Sequence, residues 1–292
     1  MSMPPTGQPA PYTLHDGLAV YRFGSGDPIC LMPGPHRIEQ PGDRMADALI
    51  EGLGGLGRQV ITFDPPGSGK STRPARLGMP EMHQCADEAL EAYGVSGPVD
   101  ALGHSMGGLA LLAYAIEHSR RVKRLVLVGT GSGGPAYTKA PGALWNRSHP
   151  AFWRMALLGM LHIAWPRLAP ERIMLDFVKR HSFHDQGLVE PEAVEPRDWL
   201  RPRRGRTAGW HRVARKLDYA PRLSEVEAPT LILCGRHDPQ FPPACSKELA
   251  TGIRTARTVY FERSGHYPFI EEHDVFWVVV GAFLAPSQTS PA

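Results

Sequence analysis

Cysteine is scarce in this chain, and none of the four residues sits in a C-x-x-C pair: Cys30 and Cys234 lie inside strand-like apolar runs, while Cys85 and Cys245 stand alone. Such usage provides neither a zinc site nor a disulfide framework, and it is the usage expected in a reducing cytoplasm. Long hydrophobic runs are lacking too. The longest, Val275 to Leu284 (VFWVVVGAFL), is about half of what a bilayer-spanning helix needs, so a buried terminal helix is expected and a membrane partner is not. Residues 1–11, MSMPPTGQPAP, carry four prolines without a basic start or an apolar stretch. A loose tail is the expectation there, not a signal peptide.

Net charge is small, +3, but unevenly spread: residues 139–222 hold 16 Lys/Arg against 8 Asp/Glu, and the remainder 16 against 21. The stretch Arg201-Pro202-Arg203-Arg204-Gly205-Arg206 resembles a nucleic-acid arm in composition alone. No recognisable nucleic-acid module surrounds it, so a solvated basic loop is expected and no nucleic-acid partner.

A phosphate-cradling loop is also missing, although Phe63 to Thr72, FDPPGSGKST, imitates one. The pattern G-x-x-x-x-G-K-[ST] needs a glycine where Asp64 stands, and its backbone N–H groups must face the phosphates. Here a carboxylate would repel them, and Pro65 and Pro66 delete two donors. Lys70 is accordingly an ordinary loop lysine.

What is present is an apolar fraction of 42% in 292 residues, enough for one large α/β domain with a substantial core. Apolar runs at Leu18 to Phe23, Pro28 to Met32, Gln59 to Asp64, Pro98 to Leu102, Arg124 to Val128, Thr230 to Gly235 and Thr258 to Glu262 read as strands. Helical periodicity falls at Asp43 to Leu53, Glu81 to Tyr93, Ser105 to Glu117 and Glu271 to Leu284. Fully apolar strands separated by helices predict a mostly parallel sheet covered on both faces.

This alternation stops after Gly129-Thr130-Gly131-Ser132-Gly133-Gly134-Pro135 and resumes near Pro229. The segment between is longer than an ordinary connection holds, and reads as an inserted helical cap. The expected organisation is a tail at 1–11, a core at 12–134 and 223–286, a cap at 135–222 and a tail at 287–292. Five of the six tryptophans, Trp145, Trp153, Trp165, Trp199 and Trp210, fall in the cap. Most are expected to pack it, with a minority, Trp145 and Trp153, offered as substrate contacts.

The strand Pro98 to Leu102 runs into Gly103-His104-Ser105-Met106-Gly107-Gly108 and then a helix. That is G-x-S-x-G in its strand–turn–helix setting, a turn so tight that small residues must flank the serine. The Ser105 hydroxyl would stand at a helix N-terminus, where the dipole favours a developing anion. A serine needs a base, and the base an orienting acid. Asp238 follows one predicted strand, in Gly235-Arg236-His237-Asp238-Pro239, and His266 follows another, in Arg263-Ser264-Gly265-His266-Tyr267-Pro268. Both lie at carboxyl ends of strands, where a parallel sheet places its ligand site. The bland alternatives are a helix N-cap for Ser105 and a turn aspartate for Asp238. His181 and His184 are spaced for one side of a metal site but lack further ligands. No metal and no cofactor are expected.

From about Tyr12 to Leu284 the chain resembles the α/β-hydrolases, on Gly103-His104-Ser105-Met106-Gly107, Gly235-Arg236-His237-Asp238 and Ser264-Gly265-His266. The element Asp64, Gly67, Gly69, Ser71 is similar to a structural loop of capped members. The resemblance implies an α/β-hydrolase fold with a Ser105–His266–Asp238 triad and an oxyanion hole formed by the N–H of Met106 and one from an early loop. The family's His-Gly-x-Pro is here Met32-Pro33-Gly34-Pro35-His36. Proline has no N–H to donate, so the register that makes Gly34 the donor is preferred. Pro35, His36 and Tyr267 are further substrate-contact expectations; His104, which flanks the nucleophile, is expected to pack or hydrogen-bond structurally, with substrate contact as its alternative.

A serine nucleophile argues against the family's Asp-dependent dehalogenase and epoxide hydrolase chemistries. An esterase acting on a small carboxylic ester is placed first. The C-terminal Gly235 to Gln240 and Gly265 to Glu272 segments are similar to proline-iminopeptidase-like hydrolases, with Glu190, Glu192 and Glu195 available to an amine; cleavage of a carbon–carbon bond next to a ketone is third. A hydrolase-fold ligand receptor is the non-enzyme alternative. A small molecule is the expected partner, and no sequence pattern sets the oligomeric state.

Overall fold

In the computed structural model, residues 11–34, 44–74, 78–165, 171–189 and 213–286 are described. Eight strands form one sheet in the order β1-β2-β4-β3-β5-β6-β7-β8: β1 Thr13–His15, β2 Leu18–Phe23, β3 Asp27–Met32, β4 Arg58–Phe63, β5 Val99–His104, β6 Val122–Val128, β7 Thr230–Gly235 and β8 Ala256–Phe261. β3 to β8 run parallel to one another, and β2 is antiparallel to both of its neighbours, β1 and β4.

Alternate residues of each strand feed opposite faces. In β3, Cys30 and Met32 enter one core while Ile29 and Leu31 enter the other; in β6, Leu125 and Leu127 separate from Val126 and Val128 in the same way. Helices α2 (Met79–Glu91), α3 (Ser105–Glu117) and α7 (Pro243–Gly252) cover the first face. The second is covered by α1 (Arg44–Gly55), α8 (Pro268–Glu271) and α9 (His273–Leu284). Burial on both faces is why the strands read as unbroken apolar runs. The exception, Asp100 in β5, is buried between Arg58 of β4 and Arg124 of β6, whose Nε and Nη2 lie 2.8 and 2.7 Å from its oxygens. Strand residues that bury a charge need such paired donors.

β1 has no counterpart among the strands expected from sequence. All three of its residues are exposed, so it lacks an apolar pattern; the turn Asp16-Gly17, both at positive φ, folds it back onto β2. The single C-terminal helix expected over Glu271 to Leu284 is two, because Glu272 at φ −124°, ψ 49° leaves the helical region.

Between β6 and β7 the described chain holds α4 (Gly134–Lys139), α5 (Phe152–Ala164) and α6 (Glu171–Ser182). Its two ends meet: Gly133 bridges Asp218, Tyr219 N–H donates to Ser132 O at 2.7 Å, and Gly134 N–H to Leu217 O at 2.8 Å. An excursion that leaves and returns at one place leaves the sheet undisturbed.

The loop after β4 is organised around Asp64 and Ser71. Asp64 Oδ2 accepts from Tyr21 Oη at 2.7 Å and from Lys70 N–H at 2.6 Å; Ser71 Oγ donates to Asp64 O at 2.6 Å and accepts from Ala19 N–H at 2.9 Å. Gly69, at φ 51°, sits so close that an added Cβ would lie 2.0 Å from the Asp64 carboxylate. The glycine and serine of the phosphate-loop look-alike thus organise a turn around a carboxylate.

Candidate active site

At the junction of β5 and α3 the chain turns on Ser105, one of two non-glycine residues at positive φ among those described (53°). A left-handed serine is costly, and the turn closes only because Gly103 has no side chain: a Cβ there would lie 2.7 Å from Gly107 O and 2.9 Å from Gly108 Cα. Thr130 Oγ1, just past β6, donates to Ser105 O at 2.7 Å and pins the turn from the neighbouring strand. The residue preceding α3, His104, provides no side-chain cap, leaving the positive end of the helix dipole directed at the space beside Ser105.

His266 and Asp238 arrive from the loops after β8 and β7. His266 Nε2 lies 2.9 Å from Ser105 Oγ and its Nδ1 2.8 Å from Asp238 Oδ2. The other carboxylate oxygen, Asp238 Oδ1, accepts from the Gln240 and Phe241 N–H groups at 2.8 and 2.9 Å. A carboxylate only accepts, so Nδ1 carries the proton and donates to Asp238; Nε2 is then the acceptor for the serine hydroxyl. All three side chains are buried. Such a chain can draw a proton from the serine while holding the imidazolium that results.

His104 is buried and bonded: its Nε2 is 2.9 Å from His266 O, and its ring lies 4.5 Å from the His266 ring and 5.0 Å from that of Phe269. It packs beneath the histidine. Tyr267 is likewise buried, against Phe183 at 4.7 Å and His266 at 5.1 Å. Trp145 is half-buried against the first core. Trp153 departs from expectation: it is 65% exposed, on a stripe of α5 with Leu157 and Met160 at spacings of four and three residues, and Trp165 is 60% exposed. Helical phase turns that stripe outward, so Trp153 does not pack the segment's interior.

Gly34 is buried just past β3, whose Met32 pairs with Gly103 of β5, and Met106 opens α3. Gly34 and Met106 thus follow the adjacent strands β3 and β5. Pro35, His36, Trp199, Trp210, Glu190, Glu192, Glu195 and the Arg201 to Arg206 stretch lie outside the described residues. Phe241 was not singled out from sequence, yet its ring stacks on His266 at 6.0 Å and 15°; as one aromatic after Asp-Pro-Gln it carries no motif.

No group of three or more His, Cys, Asp or Glu among the described residues is placed to hold a metal. Nor is any described helix long and apolar enough to cross a membrane. The nearby thiols are poor nucleophiles, because burial, reinforced by Asp238, pushes Cys234 up to about 12 and Cys245 higher still.

A family model for the alpha/beta hydrolase fold matches residues 42–273. The chain is 31% identical over 276 residues, 90% of its length and 88% of the relative's, to a 2-hydroxymuconate semialdehyde hydrolase of Pseudomonas putida. It is 28% identical over 252 residues, 80% and 79% of the two lengths, to a 2-hydroxy-6-oxononadienedioate/2-hydroxy-6-oxononatrienedioate hydrolase of Cupriavidus pinatubonensis. Among solved structures, an esterase from Exiguobacterium antarcticum superposes with a TM-score of 0.69 at 24% identity, covering 93% of this chain and 97% of that one. A meta-cleavage product hydrolase from Pseudomonas fluorescens does so with a TM-score of 0.67 at 21% identity, covering 94% and 97%.

Proposed function

The chain belongs to the α/β-hydrolase fold family, and from that premise we propose that it hydrolyses a small carboxylic ester through an acyl-enzyme on Ser105. The observation that carries this reading is the unbroken hydrogen-bond chain from Ser105 Oγ through His266 to Asp238. His266 takes the hydroxyl proton as Ser105 Oγ attacks the carbonyl carbon. The N–H groups of Gly34 and Met106 hold the oxyanion. When the tetrahedral intermediate collapses, the departing alkoxide receives that same proton from His266. A water molecule then attacks the acyl-enzyme with His266 again as base, and the acid leaves. Asp238, fixed by two backbone donors, keeps the imidazole in the tautomer that both steps use. The ester is placed first because its leaving group needs no proton source beyond His266.

A second reading has specific support. The relatives matched over most of their length are named for hydrolysis of 2-hydroxymuconate semialdehyde and of oxononadienedioates, substrates cleaved at a carbon–carbon bond beside a ketone. The same acyl-enzyme would serve, but the leaving carbon must be protonated. Residues 135–222 act as the cap that shapes the acyl and leaving-group pockets on either reading, and the net positive charge of 139–222 suits an anionic substrate.

The test is a p-nitrophenyl ester series and 2-hydroxymuconate semialdehyde assayed in parallel with wild type and Ser105→Ala. Ester turnover lost in the variant is the expected result. Preferential turnover of the semialdehyde would move the assignment to the carbon–carbon bond. Turnover of either that survives in Ser105→Ala would overturn the nucleophile.

A further inference from the structure

One carboxylate joins the loop of His266 to the end of α6. Glu271, the last residue of α8, is half-buried, and its two oxygens serve different partners. Oε2 accepts from the N–H of Gly265, the residue before His266, at 2.7 Å. Oε1 accepts from the N–H groups of His184 and Asp185, just past α6, at 2.7 and 2.9 Å. Other contacts converge on the same junction. His266 N–H donates to Ser182 O at 2.6 Å, Gln240 Nε2 donates to Ser182 Oγ at 2.8 Å, and the His184 ring stacks on that of His237 at 3.8 Å and 10°. His237 and Gln240 flank Asp238. The neighbouring Glu272 grips the loop from its other end, with Oε2 accepting from Arg263 N–H at 2.9 Å and Ser264 Oγ at 2.6 Å.

We propose that Glu271 is a positioning residue, which fixes the orientation of His266 toward Ser105 by dividing its oxygens between the histidine's loop and the seated end of α6. The inference rests on the reading of Ser105 and His266 as nucleophile and base. Charge-assisted bonds to backbone N–H groups are the stronger kind, and three of them on one half-buried carboxylate hold Gly265 and residues 184–185 in a single geometry. The consequence is that the base is aligned while the end of the β6–β7 connection is in place. Glutamine cannot replace this arrangement: its one carbonyl oxygen serves one side, and its NH2 then faces an N–H on the other. Aspartate is one methylene too short to reach both.

The experiment follows inactivation of the full chain by a fluorophosphonate, which reacts at an activated serine, and separates the limiting rate kinact from the half-saturation constant KI. Misplacing the base by about 1 Å costs on the order of 100-fold, so Glu271→Gln and Glu271→Asp are expected to lower kinact by about 10- to 100-fold with KI within about threefold. Ser182→Ala, which removes the Gln240 link and leaves all three Glu271 bonds, is expected to keep kinact within about threefold of wild type. Urea midpoints are measured for every variant. Wild-type kinact in both Glu271 variants would overturn the proposal. An equal kinact loss in Ser182→Ala at matched destabilisation would overturn it too, because the junction would then act through stability alone. Failure of the wild type to be labelled at Ser105 would instead overturn the nucleophile reading, and the positioning role with it.

Discussion

Two Gly→Ala substitutions should have opposite signs in this fold, because the chemical change is the same and the surroundings are not. At Gly103 the added Cβ would stand 2.7 Å from Gly107 O, 2.8 Å from Gly107 C and 2.9 Å from Gly108 Cα. Every one of those atoms is backbone, in a turn that Thr130, just past β6, pins through Ser105 O, so no flexible side chain can yield. Overpacking of this kind costs about 1–3 kcal/mol, and the turn must shift to relieve it. At Gly54, exposed in the last turn of α1, a Cβ meets nothing within 4 Å. There alanine gains about 0.5–1 kcal/mol from helix propensity and a less disordered unfolded chain. The midpoints of urea unfolding at a common slope should therefore place Gly54→Ala above wild type and Gly103→Ala below it, separated by about 1.5–4 kcal/mol. Gly103→Ala should also lose ester turnover, because the displaced element carries Ser105. A Gly103→Ala protein as stable and as active as wild type would refute the claim that the tight turn sets the nucleophile.

Asp238→Asn keeps an oxygen for the Gln240 and Phe241 N–H groups but turns an NH2 toward His266 Nδ1, favouring the wrong tautomer. A fall in kcat of about 10⁴-fold is expected with the fold intact; a loss under about tenfold would remove Asp238 from the mechanism. Burial lifts Asp64 to about 6, against the opposing pull of the Tyr21 hydroxyl and the Lys70 N–H. Its folded value exceeds the unfolded one, near 3.9, so its contribution to stability is full below about pH 4 and disappears as pH rises through about 6. The wild-type stability from urea unfolding should thus fall relative to Asp64→Asn between those limits, by on the order of 3 kcal/mol. A constant difference would show that Asp64 does not titrate there.

The core of this fold was legible in the sequence because burial on both sheet faces writes strands as continuous apolar runs. Leu18–Phe23 and Thr230–Gly235 have the expected bounds, and the other core strands differ by one or two residues at their ends. Strand ends are harder to read, since a register such as Val99 to His104 is fixed by partners in β3 and β6 and not by its own residues. β1 was invisible because pairing alone, without burial, holds it. Helix α7 has little signal of its own, because its four apolar residues, Ala244, Cys245, Leu249 and Ala250, are no more than partly periodic. At the site, Ser105, Asp238 and His266 stood out through glycine-flanked segments after strands, and the structure brings them within hydrogen-bond reach. Trp153 shows the limit. An aromatic in the β6–β7 segment has no local signal for direction, and helix phase turns this one outward. Glu271 stands in the sequence only as a helix start and as part of a C-terminal resemblance, since a carboxylate that works through backbone N–H groups leaves no complementary residue in the sequence.

The measurement that bears most directly on the central claim is a rapid-quench time course with a p-nitrophenyl ester, coupled to mass analysis of the peptide containing Ser105. The expected result is a burst approaching one p-nitrophenol per chain when deacylation is slow, with the acyl mass on Ser105 and no adduct in Ser105→Ala. An acyl group on any other residue, or steady turnover that Ser105→Ala retains, would contradict it.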